Sequence, residues 1–293
     1  MPGHLRIRAA AGGCFLAALL AAPAAMAQTL YVTAIPGQNQ TELRERFGKV
    51  ADYLESELDI DARYVPVKSY AAAVTAFRNN QVQLAWFGGL SGVRARQAVP
   101  GAQAIAQGKR DKNFHSYFIA HQSTGIEKSE DGLPEAVQGK TFTFGSKSST
   151  SGRLMPQHYI QQQFGKKPDD VFSRVGFSGA HHTTIDVVES GAYKVGAVNF
   201  SVWDEHVKNG KVDTDKVHVI WKTPAYPDYN WTVRGDVTDK FGDGFIDRLQ
   251  TALLELEDRE ILDSFPRETF VKATNADYDA IRKTARDLGL ISQ

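Results

Sequence analysis

Lys140–Gly152 reads Lys-Thr-Phe-Thr-Phe-Gly-Ser-Lys-Ser-Ser-Thr-Ser-Gly. Thr141–Phe144 alternates like a short strand, Gly145 breaks it, and Ser146–Ser151 then carries five hydroxyls in six residues. A helical run from Leu154 to Phe164 follows directly. The first amides of a helix have no acceptor within it, and its dipole puts partial positive charge at that end. A hydroxyl-rich loop entering a helix is therefore an anion site in the making. One Ser or Thr at such a place is an ordinary cap. Ser148-Ser149-Thr150-Ser151 exceeds what capping needs, and the run points to a bound anion.

Outward from this stretch, the chain alternates strand and helix. Leu30–Ala34 is a predicted strand, and Asn39 with Glu42 has the spacing of a capping box before a helix whose apolar face holds Phe47, Val50, Ala51, Leu54 and Leu58. Ala62–Val67 is a second strand, near an edge or end because it carries Pro66. Ser69 caps the next helix, Val82, Leu84 and Trp86 mark a third strand closed by Gly88-Gly89, and Ser91 opens a further helix. A second alternating unit begins with a strand over 115–121. It continues through the hydroxyl loop, a strand at 173–177, a helix at 183–189 and strands at 195–199, 217–221 and 229–234. Such order implies two α/β lobes with largely parallel sheets. The mainly helical remainder, 245–288, is too small for a third domain and is placed back on the first lobe. The expected division is 28–118 with 232–293 as lobe I and 119–231 as lobe II, joined by two crossing strands. A cleft is expected at the carboxyl ends of both sheets, where open α/β sheets take ligands.

His4, Arg6 and Arg8 precede an Ala/Leu-rich run from Ala9 to Ala22, with Pro23 after it and Ala25-Met26-Ala27 as small residues for a peptidase. Residues 1–27 read as a secretory signal peptide cleaved after Ala27, giving a soluble periplasmic protein. The apolar run falls short of the ~20 residues that span a bilayer. Cys14, the only cysteine, lies inside it, so the exported chain would have no thiol, disulfide or Cys-based metal site. Without its two leader arginines, the chain has 32 basic against 34 acidic residues, and no basic block suits nucleic acid or an anionic membrane.

The residues resemble a known family. Ser69-Tyr70-Ala71, Leu84-Ala85-Trp86-Phe87-Gly88-Gly89, Gly145–Gly152, Ser178-Gly179-Ala180-His181 and Pro227-Asp228-Tyr229 are similar to the phosphonate/phosphite-type periplasmic solute-binding proteins of ABC importers. Phe144–Gly152 and Asn230–Arg234 look most like a branch labelled selenate-binding. The resemblance implies an α/β, type II periplasmic-binding-protein fold. It also implies a non-enzymatic role: capture of a tetrahedral oxyanion (phosphonate, phosphite, phosphate or a selenium oxyanion) for an inner-membrane permease, by a monomer with no cofactor. Carried over to this chain, the ligand-binding residues are Tyr70, Ser149, Thr150, Ser151, His181 and Asp228, with no metal. Gly92 stands where many relatives have tyrosine, and Ser201 where aminophosphonate binders place a carboxylate.

Other readings share these residues. Tyr70 also suits a core position, His182 competes with His181, and Asp228 beside Pro227 suits a turn. Adjacent histidines rarely point at one ion, which disfavours a metal. A Ser/His/Asp hydrolase would need a nucleophile elbow, and no Gly-x-Ser-x-Gly stands in that context; a P-loop is absent as well. A periplasmic sensor with the same fold remains the alternative to a transport component.

Overall fold

The computed structural model describes residues 28–292, together with Met1 and Gly3. The expected signal peptide, its cleavage site and Cys14 lie outside the described residues. Eleven strands are present among those described: β1 (Thr29–Ala34), β2 (Asp61–Tyr64), β3 (Leu84–Phe87), β4 (Gln103–Gly108), β5 (Ser116–His121), β6 (Thr141–Phe144), β7 (Arg174–Phe177), β8 (Val195–Asn199), β9 (Val217–Lys222), β10 (Asn230–Val233) and β11 (Phe270–Lys272). They form two sheets, in the orders β11-β4-β10-β3-β1-β2 and β7-β6-β8-β5-β9. In each sheet the βαβ strands run parallel, and the strand nearest the crossover, β10 or β5, runs against them.

The physical reasons are visible strand by strand. β3, β8 and β10 sit inside their sheets and are buried along their whole length, so both faces must be apolar or internally satisfied. β2 lies at the sheet edge, as expected for a strand followed by Pro66. Around β3 and β10 an aromatic core gathers Phe47, Trp86, Trp231, Phe265 and Phe270, with Trp86 stacked on Tyr229 at 5.5 Å. The second lobe has its own core of Phe118, Phe142, Phe144 and Phe172.

Three local expectations need correction. Asn39 does cap its helix, accepting from Thr41 N at 2.8 Å, but Glu42 does not complete a capping box. Its carboxylate instead meets Lys211 of the second lobe at 2.7 Å, a partner that sequence spacing cannot reveal. The helix expected to open at Ser91 opens at Gly89, leaving its first amides uncapped by any side chain at Gly88. The lobe boundaries also shift: all of β5, from Ser116, lies in the second sheet, and all of β10, from Asn230, lies in the first. A strand gives its ladder bonds to one sheet along its length, so the crossovers fall in the segments before β5 and β10. There Phe114 and Tyr226 exchange backbone hydrogen bonds of 2.9 and 3.0 Å. Beside them the fully buried Asp111 carboxylate takes a two-pronged bond from Arg267, at 2.8 and 2.6 Å. Removing one member would leave a buried charge alone, at about 3–5 kcal/mol.

Candidate functional site

The six residues singled out by sequence all come to one place, where the two lobes meet over the crossovers. Tyr70 is the first residue of the helix Tyr70–Arg78, which Ser69 caps by accepting from Ala72 N at 3.1 Å. Thr150 and Ser151 begin the wide helical turn Thr150–Leu154 that follows β6. His181 begins the helix His181–Glu189, and Asp228 lies on the crossover just before β10. All are buried.

The hydroxyl loop divides its labour. Ser149 is the cap, its Oγ accepting from Gly152 N at 2.9 Å while its own O–H stays free to donate. Thr150 Oγ1 crosses the cleft to accept from Leu90 N at 3.0 Å. Gly89 N, one amide earlier, donates to Asp228 Oδ1 at 2.8 Å. The first two amides of one helix thus hold both the loop and the crossover carboxylate. Ser151 Oγ has no partner among the described residues, and neither do Tyr70 Oη, His181 Nε2 or Asp228 Oδ2. A buried polar group without a partner costs on the order of 1–3 kcal/mol, so four in one spot mark a place built for something polar.

Titration states follow from burial. Desolvation raises the Asp228 carboxyl to about 6, against the pull of Thr150, Gly89 N and Ser151, with Asp111 pushing it further up. His181 moves the other way, to about 3, because it is buried and faces His182 and His206. Its Nδ1 accepts from Asn199 N at 3.3 Å, so in the neutral ring the proton sits on the unpartnered Nε2 and is available to an acceptor. A neutral His181 therefore brings no positive charge to offset an ionised Asp228. Burial also raises the Tyr70 hydroxyl far above its ordinary range, keeping it a neutral donor.

Glycines make the room. A methyl on Gly37 would stand 2.7 Å from Tyr70 Oη, and one on Gly88 would stand 2.9 Å from Asp228 Oδ1. Gly37 also joins the lobes directly, its carbonyl accepting from His181 N at 3.1 Å. Beside it lies a cavity of about 30 Å³ that Trp86, Asn199, Ser201, Glu205 and Tyr229 help to line. Ser201 therefore does face the cleft, and a carboxylate returns one turn later at Glu205, engaged with Gln38 Nε2 at 3.0 Å. At Gly92 the space a side chain would take is filled by Arg96 and the Asn230 amide. Sequence reasoning missed Gly37, Asn199 and Tyr229, whose hydroxyl accepts from Asn199 Nδ2 at 3.0 Å. The signals were present but faint: Asn199 ends a buried strand and Tyr229 follows Asp228. No cluster of three metal-ligating side chains exists among the described residues.

Two α/β lobes closing on a buried set of neutral donors and one carboxyl define a solute-binding protein. The chain belongs to the ABC-transporter phosphonate periplasmic substrate-binding protein family, whose model matches residues 32–278. It is 40% identical over 271 residues to a probable ABC transporter phosphite binding protein, PhnD1, of Prochlorococcus marinus (strain MIT 9301), covering 90% of this chain and 91% of that protein. The structure of PhnD1 from that organism in complex with methylphosphonate superposes with a TM-score of 0.86 at 39% identity, over 90% of this chain and 99% of that one. The phosphonates-binding periplasmic protein of Escherichia coli (strain K12) is 24% identical over 254 residues, 86% of this chain and 74% of its own length. Selenate is named for none of these three.

Proposed function

We propose that this protein captures a small phosphorus oxyanion, phosphite or methylphosphonate, between its lobes and delivers it to an ABC permease. The observation that carries the reading is the convergence of four unpartnered buried polar atoms, on Tyr70, Ser151, His181 and Asp228, drawn from both lobes and a crossover. Three are donors suited to phosphoryl oxygens. The fourth, Asp228 Oδ2, is an acceptor suited to an oxyanion that keeps a proton. Ser149 and Thr150 complete the ring, and their hydroxyls supply donors without fixed charge.

The mechanism is closure. Thr150 with Leu90, His181 with Gly37 and Lys211 with Glu42 join the lobes only when they are together. The anion adds contacts to both lobes at once, so it favours the closed state by differential binding. The protein works as a monomer in the periplasm, released after Ala27, and turns nothing over. Relatives at 40% and 24% identity described as binding proteins support this reading.

Calorimetric titration with phosphite, methylphosphonate, phosphate, selenite, selenate and sulfate tests it. Phosphite and methylphosphonate should bind in a one-to-one ratio and raise the melting temperature. Failure of both to bind would overturn the assignment.

A further inference from the structure

Arg94 lies on the first-lobe helix Gly89–Ala98, the helix whose first amides serve the site. Its guanidinium has two partners and neither is a carboxylate. Nη1 donates to Ser148 Oγ at 2.6 Å, across the cleft, and Nη2 donates to the Leu290 carbonyl at 2.7 Å. Burial pushes its pKa down, and no acidic neighbour opposes that shift. A half-buried cation with only neutral acceptors gains least from ordinary ion pairing, so its placement needs another reason.

The two partners differ in what happens on opening. Leu290 belongs to the C-terminal tail, which packs on the first-lobe core, so that bond persists whether the lobes are open or shut. Ser148 belongs to the hydroxyl loop of the second lobe, one residue before Ser149, and that bond exists only in the closed state. The forked guanidinium can hold both acceptors at once, which a lysine ammonium on a flexible stem cannot do with the same preorganisation.

We propose that Arg94 is a positioning residue for anion retention: a clamp preset by the C-terminal tail that seizes Ser148 when the lobes close. This rests on the reading that the lobes open and close on an oxyanion. The tail at Leu290 lowers the cost of ordering the guanidinium in advance, and the loop carrying Ser149, Thr150 and Ser151 is then held shut from its far side. The clamp acts after encounter, so it belongs to release rather than to capture.

Stopped-flow tryptophan fluorescence of the exported protein with methylphosphonate, and separately with phosphite, tests this. Arg94→Ala and Ser148→Ala should each raise the dissociation rate about tenfold, with association within about twofold of the unsubstituted protein. The combined variant should be no worse than Arg94→Ala, because one bond is lost only once. Deleting 289–293 should raise the dissociation rate about threefold with Arg94 present and have no effect in Arg94→Ala. Without ligand, Ser148→Ala should melt as the unsubstituted protein does, while Arg94→Ala also loses its bond to the Leu290 carbonyl and should melt somewhat lower; Ser148→Ala carries the test should Arg94→Ala fail to fold. Unchanged dissociation in Ser148→Ala, an equal loss in association, or additive effects of the two substitutions would overturn the clamp. Absence of binding by the unsubstituted protein would instead overturn the oxyanion reading beneath it.

Discussion

Asp228 and Thr150, far apart in sequence, take neighbouring amides of one helix: Gly89 N donates to Asp228 at 2.8 Å and Leu90 N to Thr150 at 3.0 Å. The helix start therefore ties the crossover to the hydroxyl loop. Whatever binds there meets a carboxyl and a hydroxyl whose separation is fixed by a rigid element.

The first consequence concerns stability and pH. Burial raises the Asp228 carboxyl to about 6, so the folded chain holds a proton there through a range in which the unfolded chain has released it. Stability then falls as pH rises through that window, by on the order of 3 kcal/mol once ionisation is complete. Asp228→Asn keeps an acceptor for Gly89 N and removes the buried charge. Thermal unfolding without ligand should show the substitution stabilising at pH 8 and nearly neutral at pH 4. Equal effects at both values would place the carboxyl in its ordinary range.

The same carboxyl governs which anion fits. Ionised Asp228 repels a full dianion but accepts from an oxyanion that keeps a proton. Phosphonates and phosphite resemble phosphate esters, whose second pKa is about 6, whereas selenate and sulfate have no such proton to offer. At pH 7 the protein should bind phosphite and methylphosphonate, and selenite ahead of selenate. Asp228→Asn should narrow the gap. Tight selenate binding by the unsubstituted protein, indifferent to Asp228→Asn, would contradict this.

Thr150 and Ser151 should separate binding from folding. Ser151 Oγ holds no geometric hydrogen bond and only a weak pull on the Asp228 carboxylate, so Ser151→Ala should weaken anion binding by about 1.5–3 kcal/mol and lower the unliganded melting temperature less than Thr150→Ala does. Thr150→Ala also takes an acceptor from Leu90 N, and should lower both. Paired calorimetry and thermal unfolding of the two variants read the difference directly. Unchanged affinity in both would reduce the loop to a helix cap.

His181 should not titrate in the physiological range. Its pKa is pushed to about 3 by burial and by His182 and His206, so the imidazole stays neutral and serves as a donor. The unfolded chain takes up a proton there as pH falls below about 6.5, so this residue contributes stability that is present above that value and lost on acidification. Nitrogen NMR of the ring should show one neutral tautomer from pH 5 to 8. A midpoint near 6.5 in the folded protein would refute the neutral-donor role.

Much of this was legible because it is local. A strand, a glycine and a run of hydroxyls before a helix announce themselves in adjacent residues, and so do Tyr70 after a capping serine and Asp228 after Pro227. β4 was not legible: Gln-Ala-Ile-Ala-Gln-Gly has little intrinsic strand preference, and it is held as a strand by β10 and β11 on either side. β11 has three residues, too few for a period. At the site, Gly89 N, Leu90 N and the Gly37 carbonyl contribute backbone groups, which every residue owns and no residue type marks. Asn199 and Tyr229 were missed for a related reason, since their bond joins a strand end to a crossover thirty residues away.

The paired backbone bonds between Phe114 and Tyr226 close the base of everything between them. The chain leaves the first lobe and re-enters it at a single seam, so the second lobe is an insertion whose two ends are stitched together. The hydroxyl loop and His181 lie within that insertion, while Tyr70, Asp228 and the Gly89–Ala98 helix lie outside it, so the two strands of chain at the seam are the only covalent path between the two halves of the site.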